Sequence, residues 1–239
     1  MARFSFFGEG LPGIDLEELK GKLIVLEGAD GVGRTTHTGL LKLWLENTGH
    51  AVLDTEMTRS ALAGKGIRKA KEGHTMGSIT ASLFYATDFA DRLENEIIPA
   101  LRAGFIVLSD RYIYSMMARA IVRGADPQWI RAVYRFALKP DAVFYLHVKI
   151  DDLVTRVLQT RGFNYWESGM DLHLGEDMYD SFEEYQKRLL TEFDKMVENY
   201  GFAAIDASRS IEEVFSDLKV QVSPLLNNSA ANVLVQPGD

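Results

Sequence analysis

The sequence predicts a three-layer α/β/α fold in which a central parallel sheet is flanked by helices and carries a short lid. Short apolar runs alternate with longer helical patterns, a glycine-rich run follows the first apolar run, and a carboxylate follows a later one. Alternation of this kind favours a parallel sheet, because each strand needs a crossover, usually a helix, to return the chain to the same end of the sheet.

Five short apolar runs have the length and flanking residues of buried strands. They are Leu23–Leu26, Ala51–Asp54, Phe105–Ser109, Ala142–Val148 and Ala203–Ile205. Six other segments carry helical patterns, namely Thr35–Thr48, Ser78–Ala103, Pro127–Ala137, Ile150–Thr160, Ser181–Tyr200 and Ile211–Val222. Ligands of such sheets bind beyond the carboxyl ends of the strands, so the functional site is expected at that edge.

Length and composition fit one soluble domain. The chain has 239 residues, 46% of them hydrophobic, and a net charge of −8, which does not favour nucleic acid as a partner. No apolar run approaches the roughly 20 residues of a membrane span, and the chain has no cysteine for disulfides or thiol chemistry. We expect a cytoplasmic protein with an N-terminal arm (1–21), one domain (22–226) and a disordered tail (227–239).

The most informative motif begins at Gly28, after the first predicted strand, and leads into a predicted helix. It reads G-x-x-x-x-G-basic-T, the pattern of a phosphate-binding P-loop, in which the threonine hydroxyl ligates Mg²⁺. Glycines let backbone N–H groups approach phosphate oxygens, and the helix N-terminus adds its positive dipole end. The predicted ATP-binding residues here are Gly28, Ala29, Asp30, Gly31, Val32, Gly33, Arg34, Thr35 and Thr36.

The basic position of this motif holds Arg34, where lysine is usual. Arginine is always charged and can pair with phosphate through two N–H groups, so it is compatible with nucleotide binding. It also reaches differently from lysine, and a misplacement of about 1 Å can cost on the order of 100-fold in rate. Two functions therefore stay open: an active ATP-dependent kinase, and a weakened or inactive nucleotide-binding protein that acts as a sensor or partner subunit.

A second part of the site is predicted where the strand Phe105–Ser109 ends in Asp110 and Arg111. In P-loop proteins an aspartate at this place holds Mg²⁺ or its waters, and the following arginine can reach a second phosphate group. On the helix Ser78–Ala103, Tyr85 and Phe89 share one face and could stack on a nucleobase. The alternative for these aromatic residues is packing in the core.

A lid is predicted between Gly162 and Asp180, a polar and aromatic segment without a clear helical period. Arg156 and Arg161 precede it, and lid arginines commonly supply cations around a transferring phosphoryl group. The alternative is a solvated helix end followed by a surface loop.

Taken together, these motifs resemble those of thymidylate kinases, which are P-loop nucleoside monophosphate kinases, from about Lys22 to Leu226. The family's E-G-x-D-G-x-G-K-[ST]-T stands here as the run from Glu27 to Thr36. Its other motifs stand as Asp110-Arg111-Tyr112 with Ser115, Pro99-Ala100-Leu101, Lys139-Pro140-Asp141 and Asp206-Ala207.

The resemblance implies an ATP-dependent kinase that phosphorylates dTMP or a related deoxynucleoside monophosphate, uses Mg²⁺ and forms a homodimer. It places Mg²⁺ at Thr35 and Asp110, and Arg156 beside ATP. The residues that it implies for catalysis are Arg34, Asp110, Arg111 and Arg161. Those implied for acceptor binding are Asp30, Tyr85, Phe89, Arg92, Arg111 and Tyr112.

The sequence departs from the family pattern mainly where the base should be read. The family's F-x-x-[DN]-R runs here from Tyr85 to Phe89, so the base-contacting arginine is replaced by Phe89, with Arg92 one turn later as a candidate substitute. The Y-Q pair after D-R-Y is Arg119-Ala120, and T-R-E aligns with Thr55-Glu56-Met57. The identity of the acceptor base therefore stays open.

Overall fold

The fold is built on a five-stranded sheet with the order β2-β3-β1-β4-β5, and every neighbouring pair of strands is parallel. A computed structural model describes residues 3–74 and 76–227 of the protein. Its strands are β1 (Lys22–Glu27), β2 (Val52–Glu56), β3 (Ile106–Asp110), β4 (Ala142–His147) and β5 (Ala203–Asp206). The predicted α/β/α fold is confirmed, and each strand lies within one or two residues of its predicted bounds.

Helices connect the strands and cover both faces of the sheet. They are α1 (Arg34–Asn47), α2 (Gly64–Glu72), α3 (Ser78–Arg92), α4 (Ile98–Arg102), α5 (Ile113–Val122), α6 (Pro127–Val133), α7 (Ile150–Thr160), α8 (Met178–Tyr200) and α9 (Ile211–Asn227). The single helix predicted over Ser78–Ala103 is divided, because a π-helical stretch at Leu93–Ile97 separates α3 from α4. The helices α2 and α5 were not predicted.

The core lies on both sides of the sheet, as the continuous apolar sequence of the strands requires. All six residues of β1 are buried. Leu23 and Val25 belong to a cluster on one face, where α3, α5 and α8 contribute, and Ile24 and Leu26 belong to a second cluster with residues of α1, α7 and α9. The alternation follows from the two-residue period of a strand, and it fixes β1 rigidly at the centre of the sheet.

The N-terminal segment packs on the domain. Phe6 forms an isolated antiparallel bridge with Leu138, and the ring of Phe7 lies edge-on to that of Tyr114 at 6.1 Å between centroids. These contacts hold Phe6 and Phe7 of the predicted arm (1–21) against the domain.

The C-terminal helix α9 ends at Asn227. The rest of the tail predicted over 227–239 lies outside the described residues. None of the helices in the described ranges combines the length and apolar character that crossing a membrane would require.

The buried carboxylate of Asp88 forms an ion pair within α3 and also binds the loop after β2. Arg92 donates through Nε to Asp88 at 3.1 Å, and neither side chain is exposed. Asp88 also accepts hydrogen bonds from the backbone N–H groups of Thr58 (3.0 Å) and Ser60 (3.1 Å). The carboxylate therefore balances the charge of a buried guanidinium and accepts from two backbone donors at once.

We expect Asp88→Ala to lower the free energy of unfolding by about 3–5 kcal/mol, because it leaves Arg92 as a buried charge without its partner. Urea unfolding measures the loss, and Thr87→Ala, at the exposed neighbouring position, is the matched control. Equal unfolding midpoints for the two variants would show that the ion pair contributes no net stability.

Candidate active site

The loop from Gly28 to Gly33 joins β1 to α1, in the strand–loop–helix order that the sequence motif predicts. Gly28 has a φ of 145° and Gly31 a φ of 93°, which favour glycine. A Cβ on Gly28 would lie 2.6 Å from the carbonyl oxygen of Leu146, and one on Gly31 would lie 2.7 Å from a methyl of Val157. The loop thus packs directly on β4 and α7, so larger residues at these two glycines would displace it.

Arg34, the first residue of α1, is buried and bonded within the loop. Its Nη1 donates to the carbonyl oxygens of Gly28 and Ala29, and its Nε donates to Asp110 Oδ1 at 2.9 Å. The hydroxyl of Thr35 donates to the other oxygen of Asp110 at 2.6 Å. The carboxylate at the end of β3 therefore ties together the two residues at which α1 begins.

The electrostatic environment keeps Asp110 ionised. Burial raises the pKa of this carboxyl, but the Arg34 guanidinium, the hydrogen bond from Thr35 and the charge of Arg111 outweigh burial and hold the pKa below its usual value. The described residues contain no group of three or more His, Cys, Asp or Glu side chains arranged around a metal position. One hydroxyl beside one carboxylate fits Mg²⁺ when phosphate and water oxygens complete its octahedral shell.

The second charged centre is Asp30, in the middle of the loop. Its two oxygens accept from the guanidinium groups of Arg111 and Arg119, and all three side chains are at least 85% buried. Although burial raises the pKa of Asp30, the charges of these arginines and of Arg34 hold it far below its usual value. Burial lowers the pKa of Arg111 to about 10. Because this value is still well above neutral pH, the guanidinium stays charged.

Arg111 has a left-handed backbone with a φ of 73°, a conformation that is uncommon for residues other than glycine. Its N–H donates to the carbonyl oxygen of Leu26 on β1 at 3.0 Å. The buried carboxylate of Glu27 accepts from the N–H groups of Tyr112 at 2.8 Å and Ser115 at 3.2 Å. The last two residues of β1 thus hold the turn after β3 and fix where the Arg111 side chain starts.

A pocket opens beside this cluster between α2, α3, α5 and the segment at 166–171. Its walls are largely apolar or aromatic and include Met57, Met76, Tyr85, Met116, Tyr134 and Trp166. Its charged lining residues are Lys71, Arg119, Arg123 and Asp171. Tyr85, Lys71 and Arg119 also line the cleft that contains Asp30, Arg34, Thr35, Asp110 and Arg111. The pocket and the P-loop cleft are therefore continuous.

A model of the thymidylate kinase family matches residues 26–218. The chain belongs to the thymidylate kinase family. It is 37% identical over 214 residues to the probable thymidylate kinase 2 of Saccharolobus solfataricus, covering 88% of this chain and 100% of that relative. It is 32% identical over 213 residues to the probable thymidylate kinase of Thermococcus kodakarensis, covering 85% and 98%. The thymidylate kinase of Brachyspira hyodysenteriae is 28% identical over 204 residues, covering 84% and 92%.

Three of the residues that the thymidylate kinase resemblance implied for acceptor binding lie in the interior. Phe89 has no exposed surface, and its ring lies 4.9 Å from that of Tyr112. Arg92 is bound to Asp88, and the Tyr112 hydroxyl donates to the carbonyl oxygen of Leu138 at 2.9 Å. Because these side chains are enclosed by protein, they offer no surface to a ligand. Of the aromatic residues predicted on α3, Tyr85 is the one that lines the pocket.

The two arginines predicted beside the lid point to different places. Arg161 pairs with Glu167, which lines the P-loop cleft. Arg156 donates to the carbonyl oxygen of Ser208 at 3.1 Å, in the loop after β5. Arg161 is thus near the P-loop cleft, whereas Arg156 is held against the loop after β5.

Two arginines, Arg119 in α5 and Arg123 directly after it, were not predicted as site residues from the sequence. Arg119 binds Asp30, and Arg123 binds Asp171 at 2.9 Å and the carbonyl oxygen of Trp166 at 2.9 Å. The two arginines follow D-R-Y and are four residues apart, which would place them on one face of a helix. This spacing is the signal that could have identified them. Arg123 connects α5 to the predicted lid segment and shapes the pocket wall.

Proposed function

We propose that the protein is an ATP-dependent kinase that transfers the γ-phosphoryl group of ATP to the phosphate of dTMP, giving dTDP and ADP. One observation carries the proposal: the P-loop and the Asp30–Arg111–Arg119 cluster meet in one cleft, which continues into a pocket lined by aromatic and apolar residues. Family membership supports dTMP as the acceptor. The retained Thr35, Asp110 and Arg111 argue against the alternative of an inactive nucleotide-binding protein.

The reaction needs little covalent chemistry from the protein. An oxygen of the acceptor phosphate attacks the γ-phosphorus in line, the bond from γ-phosphorus to the β–γ bridging oxygen breaks, and that oxygen leaves with ADP. The P-loop N–H groups and Arg34 hold the ATP phosphates, Arg161 comes from the lid side, and Arg156 lies beside the adenosine part. Thr35 and Asp110 would hold Mg²⁺, which would neutralise part of the phosphate charge.

The acceptor lies in the aromatic pocket with its phosphate toward the P-loop. Arg111 binds that phosphate, and Asp30 faces the sugar, while Tyr85 packs against the base. Hydrogen bonds to charged groups contribute about 1.5–3 kcal/mol each. We therefore expect the contacts of Arg111 and Asp30 to contribute most of the acceptor's affinity.

We also propose that the kinase acts in the cytoplasm as a homodimer. The side chains of Ile79 and Leu83 share one face of α3 and are 54% and 48% exposed. An exposed apolar stripe of this kind suits contact with a second copy. Light scattering on the purified protein gives the mass directly.

The proposed activity is tested by coupling ADP formation to a spectroscopic readout with Mg-ATP and a panel of nucleoside monophosphates that includes dTMP. Turnover with dTMP above the other nucleotides is the expected result. Turnover with a different monophosphate would identify that nucleotide as the acceptor in place of dTMP. ATP binding without turnover on any nucleotide of the panel would overturn the proposal.

Thr35→Ala is expected to raise the Mg²⁺ concentration needed for half-maximal activity by about tenfold, because it removes a metal-ligating hydroxyl. Thr35→Ser keeps the hydroxyl and is the matched control. A magnesium titration that is superimposable for Thr35→Ala and wild type would exclude Thr35 as a ligand.

A further inference from the structure

Lys71 stands at the junction of the two halves of the site and has no role in the function described so far. It lies in the last turn of α2 and is partly buried. Its side chain lines both the aromatic pocket and the P-loop cleft. An acceptor that occupies the pocket and reaches the P-loop must therefore pass beside it.

The carboxylates of the cleft are already paired with arginines. Asp30 binds Arg111 and Arg119. The remaining pairs are Asp110 with Arg34, Glu56 with Arg59, and Glu167 with Arg161. Among the described residues, no hydrogen bond or ion pair engages the Lys71 ammonium, so it is a cation of the cleft without an anionic partner. An ammonium taken out of water is costly unless an opposite charge compensates it.

The surroundings of Lys71 are electropositive. Burial lowers the pKa of its ammonium, and the nearby charges of Arg119 and Arg111 lower it further, while Asp30 and Glu167 act in the opposite direction. Like charges that converge on one cavity repel one another until an anion lies between them. Of the parts of a nucleoside monophosphate, the phosphate alone carries full negative charge, whereas sugar and base offer neutral acceptors.

The Lys71 backbone is also fixed to the predicted lid. Trp166 donates through Nε1 to the carbonyl oxygen of Lys71 at 2.9 Å, and the carbonyl oxygen of Trp166 accepts from Arg123, the residue that follows α5. The end of α2 is thus tied to α5 through Trp166. This bracing limits the positions from which the Lys71 side chain can reach into the cleft.

We propose that Lys71 is a phosphate-binding residue for the acceptor nucleotide, acting with Arg111. The inference rests on the proposed function, because it needs a nucleoside monophosphate in the pocket. With this role, Lys71 adds a phosphate-binding cation from α2 to the cations of the P-loop and of the D-R-Y turn.

The test compares binding of dTMP and thymidine, which differ by the phosphate, to the full-length protein by isothermal titration. Lys71→Met is expected to weaken dTMP binding about 10- to 100-fold, the equivalent of one hydrogen bond between charged groups. Its affinity for thymidine and its KM for ATP should stay at the wild-type values. Lys71→Arg keeps the charge and should restore most of the dTMP affinity.

Lys69→Met is the matched control, since Lys69 lies on the same helix and is exposed, and it should bind dTMP as wild type does. Thermal unfolding of each variant establishes that it is folded, and Lys71→Gln replaces Lys71→Met if that variant is not. Loss of dTMP and thymidine binding in equal measure would mean that Lys71 supports the pocket and not the phosphate, which overturns the inference.

Two outcomes separate the inference from the proposed function. Wild-type turnover together with unchanged dTMP affinity in Lys71→Met would overturn the role of Lys71 alone. A wild-type protein that binds none of the nucleoside monophosphates would overturn both proposals. If another monophosphate is the acceptor, the same comparison with its own nucleoside decides the role of Lys71.

Discussion

Arg34→Met is expected to lower kcat by about 10²–10³-fold, the range measured when one preorganised donor to a transition state is removed. Arg34 is the basic residue of the P-loop, and its guanidinium is bonded to the carbonyl oxygens of Gly28 and Ala29 and to Asp110. Methionine carries no charge, so the proposed contact of a cation with the ATP phosphates is lost while much of the volume of the buried side chain is kept. Steady-state kinetics with saturating Mg-ATP and dTMP measure the change.

Arg34→Lys is the matched variant, because it restores the positive charge without the fork of the guanidinium. We expect its kcat to lie within about tenfold of wild type, since phosphate stabilisation depends first on charge at this position. A kcat as low as that of Arg34→Met, with ATP binding intact, would mean that the two-pronged geometry of arginine is required. A kcat for Arg34→Met equal to that of wild type would remove Arg34 from the catalytic set.

The strands and the P-loop could be predicted because both depend on local sequence. A fully buried parallel strand reads as a continuous apolar run, as in β1 and β3, whose residues are all buried. The glycines of the loop are recognisable since a tight approach to β4 excludes side chains at Gly28. The chain order of these elements then placed Asp110 beside the P-loop without any knowledge of tertiary contacts.

The helices α2 and α5 escaped prediction for opposite reasons. Of the nine residues of α2, only Gly64 and Ile67 are buried, and glycine is a weak helix former, so the segment offers few residues from which a helix could be recognised. Seven of the ten residues of α5 are buried, so apolar residues occur on almost every side. A period is visible only when one face is polar and the other apolar.

The acceptor-binding residues predicted on α3 show what residue spacing along a helix cannot predict. Tyr85 and Phe89 are one turn apart on one predicted face, with stacking on a base and packing in the core as the alternatives. Tyr85 lines the pocket, whereas Phe89 packs among Tyr112, Tyr134 and Phe136. Spacing gives the face of a helix but not the point along it at which the core ends and the cavity begins. That boundary is set by α5 and α6, whose positions depend on long-range packing.

Arg111→Ala is expected to reduce kcat/KM for the acceptor by on the order of 10²–10³-fold, while ATP affinity stays near that of wild type. Truncating one partner of a buried, hydrogen-bonded charge pair costs about 2–5 kcal/mol; Arg111 is bound to Asp30, and it is the residue that we propose holds the acceptor phosphate. The loss should be seen in a higher acceptor KM and a lower kcat. Arg119 still pairs with Asp30 in this variant, so the P-loop keeps a cationic contact.

The backbone of Arg111 supplies the control that separates the side chain from conformational strain. At a φ of 73° an alanine is strained, whereas a glycine is not. Arg111→Gly removes the same guanidinium without that strain, so equal kinetic losses in the two variants would assign the effect to the lost cation. Recovery of activity in Arg111→Gly would instead trace the loss to the turn after β3. A collapse of ATP affinity in both variants would place Arg111 with the donor and leave the acceptor phosphate to Lys71 and Arg119.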